Sequence, residues 1–83
     1  MNYTYMLQCA DGSLYTGWTV DLKKRYEMHS SGRGGKYTRS RLPVRLVYCE
    51  QHPGRTEAMR REYFIKHLTR SEKIDLIRSG RNK

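Results

Sequence analysis

The stretch LYTGWTVDLKKRYEMH, residues 14–29, decides the reading of the chain, because it joins a β-branched, aromatic segment to one with helical spacing. Residues 14–19 read as a strand. Asp21 is a good N-cap type, and a helix from Asp21 to about Ser30 brings Leu22, Arg25, Tyr26 and His29 onto one face. A guanidinium and an imidazole on an inward stripe require partners, since a charge facing a core alone is costly. A lined cleft supplies such partners. The plainer reading has Arg25 lying along the stripe edge and His29 satisfied at the helix end.

Upstream, Tyr3, Tyr5, Leu7 and Cys9 alternate with Thr4, Met6 and Gln8, the period of a strand over residues 2–9. The Ala10-Asp11-Gly12 turn then makes the two strands a hairpin. A two-residue Asp11-Gly12 turn sets Tyr5 and Tyr15 on opposite faces. A three-residue loop with Gly12 left-handed sets them on the same face. The bulged form is expected, so that both phenols line one site; a pairing of Tyr5 with Trp18 is the result that would refute it.

Downstream, SSGRGGKYTRSRLP (residues 30–43) reads as a mobile loop with at most a helical turn near Tyr37. Its GGKYT fails as a phosphate loop: Tyr37 follows Gly-Lys where Ser or Thr is needed, Ser30 holds the earlier glycine position, and no strand leads directly in. The loop offers separate phosphate contacts by Arg33, Lys36, Arg39 and Arg41, with Tyr37 available to stack on a base. A solvated loop with incidental charge is the plain alternative.

Residues 44–50 form a third strand whose apolar run predicts burial on both faces, and Pro53-Gly54 breaks the chain after it. A helix from Thr56 to about Leu68 carries the stripe Ala58, Ile65 and Thr69, with Arg61 and Leu68 at its edge. Glu62 lies inside that stripe and is expected to point toward the sheet, where a glutamate is paired or metal-bound. A salt bridge, for instance to Arg25, is the plain alternative. The capping box Thr69-Arg70-Ser71-Glu72 opens a last helix with Ile74 and Ile77 inward and Gly80 past its end, leaving residues 81–83 as a frayed tail.

Eighty-three residues at 36 % hydrophobic content predict one small domain. Cys9 and Cys49 lack CxxC or Cys/His metal spacing and are expected to be reduced core thiols. No apolar run reaches membrane-span length and the first residues lack signal-peptide character, so a cytoplasmic protein is expected. The net charge of +9, from 17 Lys and Arg against 8 Asp and Glu, favours polyanions as partners, nucleic acid first. An acidic membrane is disfavoured by the lack of a basic helix with a broad apolar face.

With these elements placed, the chain resembles the GIY-YIG nuclease family, in its small stand-alone bacterial form, over nearly its whole length. Tyr5 stands where the first tyrosine of that family falls, Tyr15-Thr16-Gly17 matches the YIG element, Arg25 follows Tyr15 at the family's distance with His29 one turn further, and Glu62 matches its metal-binding glutamate. Tyr3-Thr4 and Thr16 depart from the usual Gly-Ile and Ile, at packing positions. The resemblance implies an α+β fold, a three-stranded antiparallel sheet surrounded by helices in the order β-β-α-β-α-α.

The activity it implies is metal-dependent hydrolysis of nucleic-acid phosphodiesters, most naturally DNA in repair or recombination. Glu62 would hold Mg²⁺, with Mn²⁺ as a substitute, and Arg25 would clamp the phosphate. Tyr15 is the candidate base for the attacking water, supported by Tyr5. His29 is a second candidate, and the residues themselves leave that choice open. An exposed edge strand leaves room for a weak homodimer or a larger repair complex. The rival readings are a non-catalytic nucleic-acid-binding module of the same fold and a protein-interaction domain.

Overall fold

The computed structural model describes residues 1–81, so the tail expectation for Asn82 and Lys83 lies outside the described residues. Strands β1 (Asn2–Gln8) and β2 (Leu14–Thr19) form the expected hairpin. Cys9 and Ser13 close a three-residue loop through a 2.9 Å hydrogen bond from Cys9 N to Ser13 O, and Gly12 adopts φ +84°. That left-handed position favours glycine because a side chain would crowd the backbone there. The resulting register pairs Tyr5 with Gly17 and Leu7 with Tyr15, so both phenols share one face.

Helix α1 (Leu22–Ser30) starts where Asp21 Oδ1 accepts a hydrogen bond from Lys24 N at 3.0 Å. A four-residue helix, α2 (Lys36–Arg39), follows within the Gly- and Arg-rich segment. Then come β3 (Arg45–His52), α3 (Arg55–Lys66) and α4 (Arg70–Arg81). The sheet order is β2-β1-β3, antiparallel throughout, so β1 is central and both later strands are edges.

Layering follows from strand parity. The face of Tyr5, Leu7 and Cys9 packs with Val44 and is covered by Leu22 and Tyr26 of α1. The face of Thr4 and Met6 meets α3, where Thr4 Oγ1 donates to Ala58 O at 2.8 Å and Ala58 and Ile65 are buried. Thr4 to Leu7 are all buried, which makes β1 the strand covered on both sides.

The expectation that β3 is the doubly buried strand is therefore corrected. Its register slips between Met6, opposite Tyr48, and Leu7, opposite Leu46, leaving Val47 as a bulge residue. One extra residue switches parity, so Leu46 packs on the Tyr5 side while Tyr48 faces α4. Cys49 is correspondingly exposed, not a core thiol, because α3 and α4 cover only the opposite side of this edge strand.

Two helix-end expectations also change. Thr69 is exposed and caps α4 instead of extending the α3 stripe; Glu72 N donates to Thr69 Oγ1 at 3.2 Å and Thr69 N donates to Glu72 Oε1 at 2.8 Å. Gly80 and Arg81 lie inside α4, not past its end, and a Cβ on Gly80 would stand 2.8 Å from the Tyr48 ring. Its missing side chain lets the helix approach β3. A network with no signature in the sequence ties α3 to the same strand: Glu50 accepts from Tyr48, from Arg61 Nε at 2.7 Å and pairs with His52 Nε2 at 2.9 Å. Among the described residues no helix is long and apolar enough to cross a membrane.

Thr4 and Thr16 provide a contrast in buried hydroxyls. Thr16 Oγ1 is buried without a hydrogen-bond partner among the described residues. Thr4→Val is expected to cost about 1 kcal/mol and Thr16→Val to be neutral or slightly stabilising, since only the first removes a formed hydrogen bond. Urea unfolding midpoints measure both.

Candidate active site

The hairpin register and the α1 stripe bring Tyr5, Tyr15, Arg25 and His29 to one place. Tyr5 Oη lies 2.9 Å from His29 Nε2, and both residues are buried. The Tyr15 ring, half-buried, stands 6.4 Å from that of Tyr5 and 5.2 Å from that of His29, centroid to centroid. Opposite Tyr5 the strand carries Gly17, where a Cβ would sit 2.6 Å from Tyr5 Oη and 3.2 Å from Tyr15 Cε2. The glycine of the YIG-like triplet is thus a clearance for the two phenols.

Arg25 is half-buried and Nη2 donates to Gly34 O at 2.8 Å. Burial works against its charge, but the nearby Tyr5 and Tyr15 phenols outweigh this and hold the guanidinium above its ordinary value. Burial pushes the Tyr5 phenol up to about 12; the nearby Arg25 guanidinium opposes this, and Tyr15 and Glu62 add to it. Tyr5 is a neutral phenol at pH 7.

Glu62 approaches from α3, on the layer behind the sheet. It is half-buried and makes a loose 3.7 Å ion pair with Lys66, one turn on, instead of the salt bridge to Arg25 considered from sequence. Its charge nonetheless acts on Tyr5.

The residues of the basic segment divide. Arg33, Lys36 and Arg39 are exposed. Tyr37 is 39 % exposed, and its ring lies 5.9 Å from that of Tyr15. Arg41 stacks over Tyr37 at 4.0 Å and is committed to Asp11 Oδ2 at 3.1 Å and Tyr37 O at 2.9 Å, so it is less free for a ligand than the other three.

Two residues that sequence reasoning does not single out complete the site. Thr38 of α2 is buried, and its Oγ1 lies 2.8 Å from His29 Nδ1. Gly34 is packed so tightly that a Cβ would overlap the His29 ring. A four-residue helix has no periodicity to expose a buried threonine, and a glycine in a glycine-rich run looks like flexibility.

Burial, followed by the charge of Arg25, lowers His29 to about 4, so the ring is neutral at pH 7. The unfolded chain, with histidine near 6.5, binds this proton more readily. Stability should therefore be full above about pH 6.5 and fall as the pH drops toward 4. Urea midpoints across that window are expected to fall less steeply for His29→Gln than for wild type; equal slopes would contradict the assignment.

Comparison with known proteins agrees with this geometry. The family described as the GIY-YIG catalytic domain matches residues 1–75. A UPF0213 protein of Clostridium perfringens is 57 % identical over 79 residues, covering 95 % of this chain and 85 % of that protein. The solution NMR structure of a UPF0213 protein from Bacillus halodurans shares 52 % identity at a TM-score of 0.60, covering 93 % of this chain and 83 % of that one. The solution NMR structure of a protein from E. faecalis shares 37 % identity at a TM-score of 0.65, covering 99 % and 88 %. From its first strand into its last helix, the chain belongs to the GIY-YIG family.

Proposed function

We propose that this protein is a nuclease that hydrolyses nucleic-acid phosphodiesters, with DNA as the first substrate class and repair or recombination as the setting. The observation that carries this reading is the gathering of two phenols, a guanidinium and a buried imidazole from β1, β2 and α1, with the charge of Glu62 acting on the same phenol. The net charge of +9 and the exposed Arg33, Lys36 and Arg39 supply attraction for phosphates beside the site.

The donor set fits one magnesium ion. Among the described residues no group of three or more His, Cys, Asp or Glu converges. A lone half-buried carboxylate suits an ion that keeps several of its waters, as Mg²⁺ does, with Mn²⁺ able to substitute. Held by Glu62, such an ion would neutralise charge on a non-bridging phosphate oxygen and on the departing 3′ oxygen.

Hydrolysis forms a bond from the water oxygen to phosphorus, breaks the bond to the 3′ oxygen and sends a proton from the water to a base. Tyr15 suits that role better than His29, because His29 is fully buried with Tyr5 and Thr38 at its two ring nitrogens. Tyr5, kept protonated by burial, serves as a hydrogen-bond donor. The Arg25 guanidinium has N–H groups enough to hold Gly34 O and still fork onto the phosphate.

Supercoiled plasmid incubated with Mg²⁺ or Mn²⁺ tests this. Wild type is expected to nick it; Tyr15→Phe and Glu62→Ala should each lower the rate by about 10²-fold or more while DNA affinity stays nearly unchanged. Full activity in either variant removes that residue from the mechanism. Absence of nicking by wild type on duplex, branched and single-stranded substrates would leave the binding-module reading.

A further inference from the structure

The hydrogen bonds around His29 form a line of three groups running from Thr38 Oγ1 through the imidazole to Tyr5 Oη, at 2.8 and 2.9 Å. All three residues are buried. A neutral imidazole carries one N–H, so the line can run in only two directions. In one, Tyr5 donates to Nε2, Nδ1–H donates to Thr38, and the hydroxyl proton of Thr38 is left over. In the other, Thr38 donates to Nδ1, Nε2–H donates to Tyr5, and the phenol proton is left over.

The two ends differ in what can receive that proton. Among the described residues, Thr38 Oγ1 has His29 Nδ1 as its only hydrogen-bond partner, and a buried hydroxyl proton without an acceptor is destabilising. Gly34 O, one turn before Thr38, accepts from Arg25 and not from the Thr38 hydroxyl. At the other end, Tyr5 Oη, which likewise bonds only to His29 among the described residues, stands beside the half-buried Tyr15 and Arg25, on the side of the line that leads to the surface.

We infer that Thr38 is a positioning residue that fixes His29 as the Nε2–H tautomer, so that Tyr5 accepts from the imidazole and turns its own O–H toward the substrate. The short helix α2 carries the hydroxyl that sets the direction of the whole line. Gly34 keeps the ring and the hydroxyl in contact, because any side chain there would displace the imidazole. The two tyrosines are in this way given different roles, one donating a hydrogen bond and the other accepting a proton. The use of the Tyr5 proton in cleavage rests on the nuclease reading above; the direction of the line does not.

Two-bond ¹H–¹⁵N correlation spectra of the ¹⁵N-labelled protein at neutral pH, without metal or nucleic acid, read the tautomer directly. His29 is expected to be protonated at Nε2 and bare at Nδ1; an Nδ1–H ring in wild type overturns the inference, and this spectrum needs no variant to fold. Thr38→Val, which keeps the shape and removes the hydroxyl, should raise the Nδ1–H fraction and lower the saturated cleavage rate by about tenfold with KM unchanged, while Thr38→Ser restores both. An unchanged tautomer in Thr38→Val, or a Thr38→Ser that behaves like valine, would overturn the role of the hydroxyl. Failure of the wild type to cleave any substrate would remove the nuclease reading alone, since the tautomer is measured without substrate.

Discussion

Burying three polar side chains in a protein of 83 residues is the constraint on which the rest of the structure turns. Tyr5, His29 and Thr38 occupy interior space that aliphatic side chains would otherwise fill, and each costs stability unless its polar atoms are paired. Their mutual hydrogen bonds tie β1, α1 and α2 together. Gly17 must leave room over the phenol, and Gly34 must leave room beside the imidazole. The segment around α2 is therefore tied to the sheet through Thr38, although its composition is that of a loop.

From that fixed centre the neighbouring polar side chains are placed by proximity. Arg25 holds Gly34 O, so the guanidinium and the loop backbone are set together beside the two phenols. Tyr15 lies between the buried line and the surface, and Tyr37 with Arg41 extends the aromatic stack outward toward exposed cations. Arg33, Lys36 and Arg39 are exposed on that side, Tyr15 is half-buried and His29 is fully buried. Glu62 brings the one element that comes from behind the sheet, and its charge is felt at Tyr5.

The parts of the fold legible in the sequence are those governed by short-range geometry. Gly12 in a three-residue loop sets the hairpin register, Asp21 sets the start of α1, and the Thr69–Glu72 box sets the start of α4. Strand β3 misleads because a bulge at Val47 reverses parity halfway along, and a run of apolar residues looks the same whether both faces are buried or parity has switched. Cys49 and Gly80 follow from the same tertiary facts: which side of an edge strand is covered, and how closely a helix approaches a tyrosine ring. Thr38 is invisible in the sequence because its partner, nine residues away, is reached only after the chain has turned back.

Whether Glu62 and the phenols form a single centre is tested most directly by adding Mn²⁺ to the ¹⁵N-labelled protein and mapping paramagnetic broadening. The expected result is broadening centred on Glu62 that extends to Tyr5, Tyr15 and Arg25, and that disappears in Glu62→Gln. Broadening centred instead on Glu50, Glu57 or Asp11, or broadening that persists unchanged in the variant, would contradict a shared metal and phosphate site.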